Sequence, residues 1–340
     1  MSNKRVTSHD VARLAGVSRT TVSYVLNGKD QTISEETRSK VLEAARQLGY
    51  QPDESARTLR RGVSNEIGLF GIWPFQAQFN YEFASTLQDE VNRIGYNLVI
   101  YTSKHNSEAD INNWITQILA RRPLGIISTV QEIKAENYTM MQKMGVKACV
   151  LMSFEPSGYA PTAILPVQRA AYLVGAHLIQ KEHRHIALLV PQQPWQEPAV
   201  QRRIKGLRQA AHDAHIGDAF RITQVPIQGE LEDTRQKIRE LMGIEYHPSA
   251  IYAFNDEYAF QVTKALLEMD LRIPEDITVI GTDNTSLCEV MHPSLTSVEF
   301  DMMGLANRCV KALQYQIDQQ PIPAGLLDGL EPVLIPRQSG

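Results

Sequence analysis

Cysteine is scarce in this chain of 340 residues: three occur, Cys149, Cys288 and Cys309, far apart. That excludes a disulfide framework and the paired spacing of a zinc or redox motif, and it suits a reducing compartment. Long apolar runs are missing as well. No stretch approaches the roughly 18 apolar residues that a membrane helix needs, and the N-terminus is polar, unlike an export signal. The sequence therefore predicts a cytoplasmic protein with no membrane partner. It carries no phosphate-cradling glycine loop, no nucleophile elbow and no paired-carboxylate signature. Gly68 and Gly71 fall inside one strand pattern, outside the context of a dinucleotide fingerprint. These absences predict no enzyme activity, no cofactor and no metal.

Net charge is small too, at −4, yet it is unevenly spread. Residues 1–62 hold eleven Lys and Arg against seven Asp and Glu, which is +4 and leaves −8 for residues 63–340. Only the first segment has the sign needed to meet phosphates.

That segment also has the clearest local pattern. Residues 7–28 read as two short helices about a tight turn. Thr7 is a candidate N-cap with Asp10 three residues later, and Val11, Leu14 and Ala15 make an apolar stripe at helical spacing. Gly16 sits where the first helix must end. Ser18 then caps a second helix with Val22, Val25 and Leu26 inward and Arg19, Thr20, Ser23 and Tyr24 outward. Such a pair can lay its second helix in the DNA major groove. A third helix follows, capped by Ser34, with Glu35 and Glu36 in its first turn and Val41, Leu42, Ala45 and Leu48 as its buried face. It closes at Gly49. Pro52 stops it. The run from Asp53 to Arg61 then has the composition of a short helix, although nine residues cannot hold one alone in water.

From Glu66 onward, strands and helices alternate. Strands are expected at Ile67–Ile72, Asn97–Tyr101, Gly125–Ser128, Ala148–Met152, His185–Val190, Ala250–Phe254 and Thr278–Gly281, with helices between, among them Glu82–Ile94. Apolar strands in repeated strand–helix units predict parallel, doubly wound sheets. About 275 residues suit two lobes better than one core.

The run Val6-Thr7, Asp10-Val11-Ala12, Ala15-Gly16-Val17-Ser18, Thr21-Val22-Ser23, Val25-Leu26-Asn27-Gly28 and on through Leu48-Gly49-Tyr50 and Pro52 closely resembles the LacI/GalR family of bacterial transcription regulators. Later segments match as well: His177-Leu-Ile179, His183 to Ala187, Arg203 to Leu207, Phe254-Asn-Asp-Glu257, Ile280 to Asn284, Pro293 to Val298 and Ile335 to Ser339. Within this pattern the His183/His185 pair is a turn before a strand rather than a metal site. The resemblance implies a small all-α helix-turn-helix headpiece over 1–51, a hinge helix over 52–62, and a two-lobed α/β effector and dimerisation domain over 63–340, like a periplasmic binding protein. Lobe 1 takes about 63–165 plus 295–323 and lobe 2 about 166–294 plus 324–340, with crossings near Pro166, Pro293 and Pro323.

The resemblance also implies roles. The expected DNA-facing set is Thr7, Ser18, Arg19, Thr20, Thr21, Ser23, Tyr24 and Asn27 in the headpiece, and Ala56, Arg57, Leu59 and Arg60 in the hinge, with Leu59 a minor-groove wedge. Arg203, Asp256 and Asp283 occupy positions where the family holds its effector, Arg203 and Asp283 serving either that ligand or a salt bridge between lobes. Trp73, Phe79, Trp195 and Phe254 are near the same mouths, as stacking faces for a sugar or as ordinary packing. Four departures stand out: Asp53 where Asn is common, Tyr24 where Arg is common, Leu165-Pro166-Val167 where the first crossing often carries Asp, and Ala77-Gln-Phe-Asn80 where the loop after the first strand commonly reads Asn-Pro-Phe-Phe. The function implied is a homodimeric, nucleoid-associated repressor of carbohydrate-use genes that reads a near-palindromic double-stranded operator under a sugar-like effector. A protein co-regulator or a nucleobase ligand is the alternative. A sugar-binding module without DNA function is disfavoured by the headpiece.

Overall fold

The computed structural model describes residues 6–26, 33–51, 62–72, 78–103, 108–129 and 133–340, and it divides into two compact units, residues 1–64 and 65–340.

The first unit holds α1 (Ser8–Ala15), α2 (Arg19–Leu26) and α3 (Glu35–Gln47). At the start of α1, the backbone N–H and hydroxyl of Thr7 both donate to the Asp10 carboxylate, at 3.0 and 2.7 Å. Gly16 ends the helix at φ 67°, its N–H reaching the Ala12 carbonyl; the left-handed turn is why glycine stands there. Ser18 caps α2 by accepting from the Thr21 N–H at 3.0 Å. Ser34 does the same for α3 from Thr37. The core is small: Val11, Ala12, Val22, Val25, Val41, Ala44 and Ala45. Two inward assignments are corrected. Leu14 is 51% exposed and Leu42 47% exposed, their places taken by Ala12 and Ala44. The helices meet on valine and alanine, with Leu26 and Leu48 packed at the margin of that cluster.

The second unit contains two sheets. In lobe 1, β1 (Glu66–Ile72), α4 (Gln78–Arg93), β2 (Asn97–Ser103), α5 (Glu108–Ala120), β3 (Gly125–Ser128), α6 (Ala135–Lys143), β4 (Ala148–Ser153) and β5 (Thr162–Ile164) form a parallel sheet of order β2-β1-β3-β4-β5. Lobe 2 repeats the pattern with α7 (Val167–Gln180), β6 (His185–Pro191), α8 (Glu197–Asp213), β7 (Arg221–Ile227), α9 (Leu231–Met242), β8 (Ala250–Tyr252), α10 (Asp256–Leu267), β9 (Thr278–Thr282), α11 (Leu287–Val290) and β10 (Thr296–Glu299). Its sheet runs β7-β6-β8-β9-β10, closed by an antiparallel β11 (Val333–Ile335). Helices cover both faces of the central strands, so β3 is buried throughout and β4 and β6 nearly so.

The chain enters lobe 2 at Leu165-Pro166, between β5 and α7. The second crossing lies later than Pro293, because β10 is still hydrogen-bonded to β9 and only α12 (Met302–Ile317) packs back on α4 and β4. There the Gln316 side-chain amide accepts from Cys149 N–H and donates to Cys149 O, at 3.1 and 3.2 Å. The return also falls beyond Pro323: the Ile164 N–H donates to the Leu327 carbonyl at 3.0 Å, and the chain rejoins lobe 2 only at β11. Helix α4 begins at Gln78, four residues before the expected Glu82.

Helices α7 and α8 pack at glycine. A Cβ on Gly206 would lie 2.9 Å from both Ala171 Cβ and Tyr172 N and would strike the Gln168 carbonyl; at Gly175 it would lie 2.9 Å from Ala210 Cβ. Gly206→Ala is therefore expected to cost about 1–3 kcal/mol through overpacking. Urea unfolding of the full chain reads that loss in the second unit.

Candidate nucleic-acid interface and ligand cleft

On α2, the exposed side chains are Arg19, Thr20 and Tyr24, the last 47% exposed. Thr20, Ser23 and Tyr24 share one face by their spacing of three and four residues. A helix fits a major groove about 12 Å wide, so this face offers a guanidinium, hydroxyls and a phenol to base edges. Ser18 and Thr21 are partly committed to each other, their hydroxyls 2.9 Å apart, and the Thr7 hydroxyl is committed to Asp10. Those contacts hold Asp10 below the usual carboxylate range, the Thr7 hydroxyl first and its backbone second. Asn27, Ala56, Arg57, Leu59 and Arg60 lie outside the described residues, as do Trp73 and the side chains of Phe79 and Trp195.

In the second unit, the carboxyl ends of β6, β8 and β9 bring Arg203, Phe254, Asp256 and Asp283 into one region. Crevices at such strand ends are where open α/β sheets bind small molecules. Arg203 on α8 is buried, its guanidinium lying over the Phe254 ring at 3.9 Å from the centroid. It donates to the Phe254 carbonyl at 2.9 Å and to Ala199 O at 3.4 Å, while its Nε is buried with no hydrogen-bond partner among the described residues. A buried donor left unpaired costs about 1–3 kcal/mol. Asp283 follows β9 at φ 107°, a conformation most residues avoid, and Asn284 follows at φ 48°. Its N–H is anchored on the Val298 carbonyl at 2.7 Å. Burial first, then the nearby Asp256 charge, pushes the Asp283 carboxyl well above its usual range, and Arg203 opposes them.

Asp256 does a different job from the one expected. It is fully buried at the start of α10, and both its oxygens are occupied by the protein. Oδ1 accepts from the Ser297 hydroxyl at 2.6 Å, and Oδ2 from the Thr285 N–H at 2.7 Å and the Cys288 thiol at 3.1 Å. Burial raises its pKa while these donors pull it down. Gly281 leaves room for it, since a Cβ there would strike Oδ1. Sequence reasoning placed Asp256 among ligand contacts and missed Thr285, Ser297 and Cys288, whose signal is weak because a lone thiol in an apolar run reads as core. The closing residues were legible as a motif, but their task was not. Arg337 donates to Asn284 Oδ1 at 2.8 Å, and Ser339 Oγ accepts from Thr296 N and donates to Val279 O, at 2.9 and 2.6 Å.

The other polar candidates are tied up locally. His183 Nδ1 is hydrogen-bonded with Ser249 Oγ and His185 Nε2 with Thr223 Oγ1, each at 2.8 Å. The thiols of Cys149, Cys288 and Cys309 are pushed up to about 12, by burial first in each case.

Residues 7–53 match the model for bacterial regulatory proteins of the lacI family, and residues 176–340 that for a periplasmic binding protein-like domain. The chain is 32% identical to the HTH-type transcriptional repressor PurR of Vibrio vulnificus over 86% of each chain. It is 29% identical to the ribose operon repressor of Escherichia coli over 98% of this chain and 99% of that one. Among solved structures, a Lac repressor dimer bound to operator and the anti-inducer ONPF superposes with a TM-score of 0.83 at 22% identity, covering 99% of each chain. A LacI family regulator from Enterococcus faecium with bound ribose gives 0.67 at 24% identity, covering 81% of this chain and 98% of that one.

The Asp283 environment predicts a trade between stability and function. Its folded pKa lies above the unfolded value, so ionised Asp283 weakens the fold at neutral pH, and wild-type stability recovers this term as pH falls through the folded pKa. Asp283→Asn, which tolerates positive φ, should raise ligand-free stability at pH 7. The gain should shrink as pH approaches 4, measured by urea unfolding across pH.

Proposed function

The chain belongs to the LacI family of bacterial regulatory proteins and is a DNA-binding transcriptional regulator; from that premise we propose that it represses carbohydrate-use genes and answers to a sugar held between the lobes of its second unit. The observation that carries the ligand reading is Arg203. Its guanidinium is fixed on Phe254 with a buried Nε that has no partner among the described residues, close enough to Asp283 to act on that carboxyl. A neutral polyhydroxylated ring answers all three groups: a hydroxyl oxygen accepts from Nε, a neighbouring hydroxyl donates to Asp283, and a ring face covers an aromatic. The relatives named for ribose and the neighbour with bound ribose support the same class; those named PurR keep a nucleobase as the second reading.

On the DNA side, family members bind operators as dimers, and two headpieces of this chain would reach successive major grooves of a near-palindromic site. Arg19 pairs with a guanine edge, while Thr20 and Tyr24 read neighbouring positions. Ser18, Thr21 and Ser23 contact phosphates with Thr7 and Asn27 beside them. Leu59, flanked by Ala56, Arg57 and Arg60, wedges the minor groove at the centre. Ligand binding favours one arrangement of the lobes and so shifts operator affinity, a coupling of about 1–3 kcal/mol. The place of action is the nucleoid in the cytoplasm.

Arg19→Ala should cost about 1–3 kcal/mol at one base pair and relax specificity there. Leu59→Ala should remove most operator preference and keep weak, salt-sensitive binding. Both are read by titrating labelled operator against scrambled DNA, and unchanged specificity in either variant overturns its assignment. A thermal-shift screen of the full chain against sugars, sugar phosphates and nucleobases tests the ligand class. At a hundredfold excess over Kd, a true effector adds about 2.7 kcal/mol, and Asp283→Ala should lose that gain. A hit confined to nucleobases moves the class to the second reading, and a blank panel moves it to a protein co-regulator.

A further inference from the structure

Helix α8 carries two adjacent arginines with opposite destinations. Arg203 turns into lobe 2 beneath the cleft, whereas Arg202 leaves its own lobe and pairs with Glu155. Glu155 belongs to lobe 1, two residues past the carboxyl end of β4. Arg202 is largely shielded and Glu155 is exposed. Lys205, three residues along α8, also attracts this carboxylate, and together with the Arg202 bond it holds Glu155 below the usual carboxylate range. One carboxylate of lobe 1 thus faces two cations on a single helix of lobe 2.

That helix is stiffly mounted. The glycine contacts that seat α8 on α7 leave no slack at Gln168, one residue into the helix that starts at the first crossing. A pull on Arg202 is therefore a pull on the rigid pair α7–α8 and on the Arg203 guanidinium next to it. We propose that the ion pair of Glu155 with Arg202, assisted by Lys205, is a clasp across the cleft that holds the two lobes together before any ligand enters. It sets the resting balance between closed and open lobes that a ligand then shifts. The clasp does not depend on which ligand the cleft takes. Exposed pairs are weak, so its removal changes that balance by about two- to fivefold, enough to tune a regulator without locking it.

The test is a distance measurement between spin labels on the full chain, placed through Gln142→Cys in lobe 1 and Gln236→Cys in lobe 2. Both positions are exposed. The native thiols, pushed up to about 12 and buried, stay unlabelled at neutral pH. In low salt without ligand, the clasped protein should show a dominant short distance. Glu155→Gln and Arg202→Gln should each move about two- to fivefold of the population ratio towards longer distances. The double variant should match Glu155→Gln alone, since the two side chains act as one pair. Salt at 1 M, where the Debye length is about 3 Å, should loosen the unsubstituted pair and leave the double variant unmoved. Single variants with unaltered distance populations overturn the clasp, and so does a double variant whose loss is the sum of the two.

Discussion

A buried carboxylate that receives three protein donors organises the business end of lobe 2. Asp256 joins the start of α10 to the loop after β9 through Thr285, to α11 through Cys288, and to β10 through Ser297. Charge in such a place is costly unless every lone pair is met. Meeting them ties the segments that follow β8 and β9 to the start of β10, and Gly281 is required because nothing larger fits beside Oδ1. The left-handed backbone of Asp283 and Asn284 follows from that anchoring, helped by the Val298 carbonyl and by Arg337. Without this knot, Asp283 would have no fixed direction.

The cleft is held in tension by the same arrangement. Burial and then Asp256 raise the pKa of Asp283, Arg203 lowers it, and Arg203 itself keeps one donor unpaired among the described residues. Strained backbone and unpaired polar groups destabilise a fold, and they persist where the surroundings over-determine them. Here the surroundings are the apolar lobe 2 core around Leu188, Tyr252 and Ile280 and the close glycine packing of α7 on α8. The headpiece works differently. Its valine and alanine core is minimal, and its exposed face on α2 is free of structural duty at Arg19, Thr20 and Tyr24.

Much of this was legible in the residues. Gly16, Ser18 and Ser34 mark helix ends by local chemistry alone, and all three are seen at those ends. The apolar strands of both lobes were legible because burial on two faces requires uninterrupted hydrophobic runs. The edge strands β5, β7 and β11 and the short inner strand β10 were not, since short or half-exposed strands carry no such signal: β7 alternates with polar residues, β10 has four residues and β11 three. Leu14 and Leu42 show the limit of periodicity, which identifies a helix face but not how closely a neighbour approaches it.

The sequence by itself determined the two units, the helix-turn-helix pattern, the alternation of strand and helix, and the region where Arg203 and Asp283 meet. Those features rest on local propensities and on patterns repeated along the chain. Only the tertiary structure decided that Asp256 is an anchor, that Arg337 and Ser339 secure the β9–β10 end, that the crossings come after Glu299 and Leu327, and that Arg202 reaches Glu155 while its neighbour does not. Each of these depends on which groups from distant parts of the chain share one small volume. Desolvation there makes every polar atom find a partner, and no local pattern specifies which partner it is.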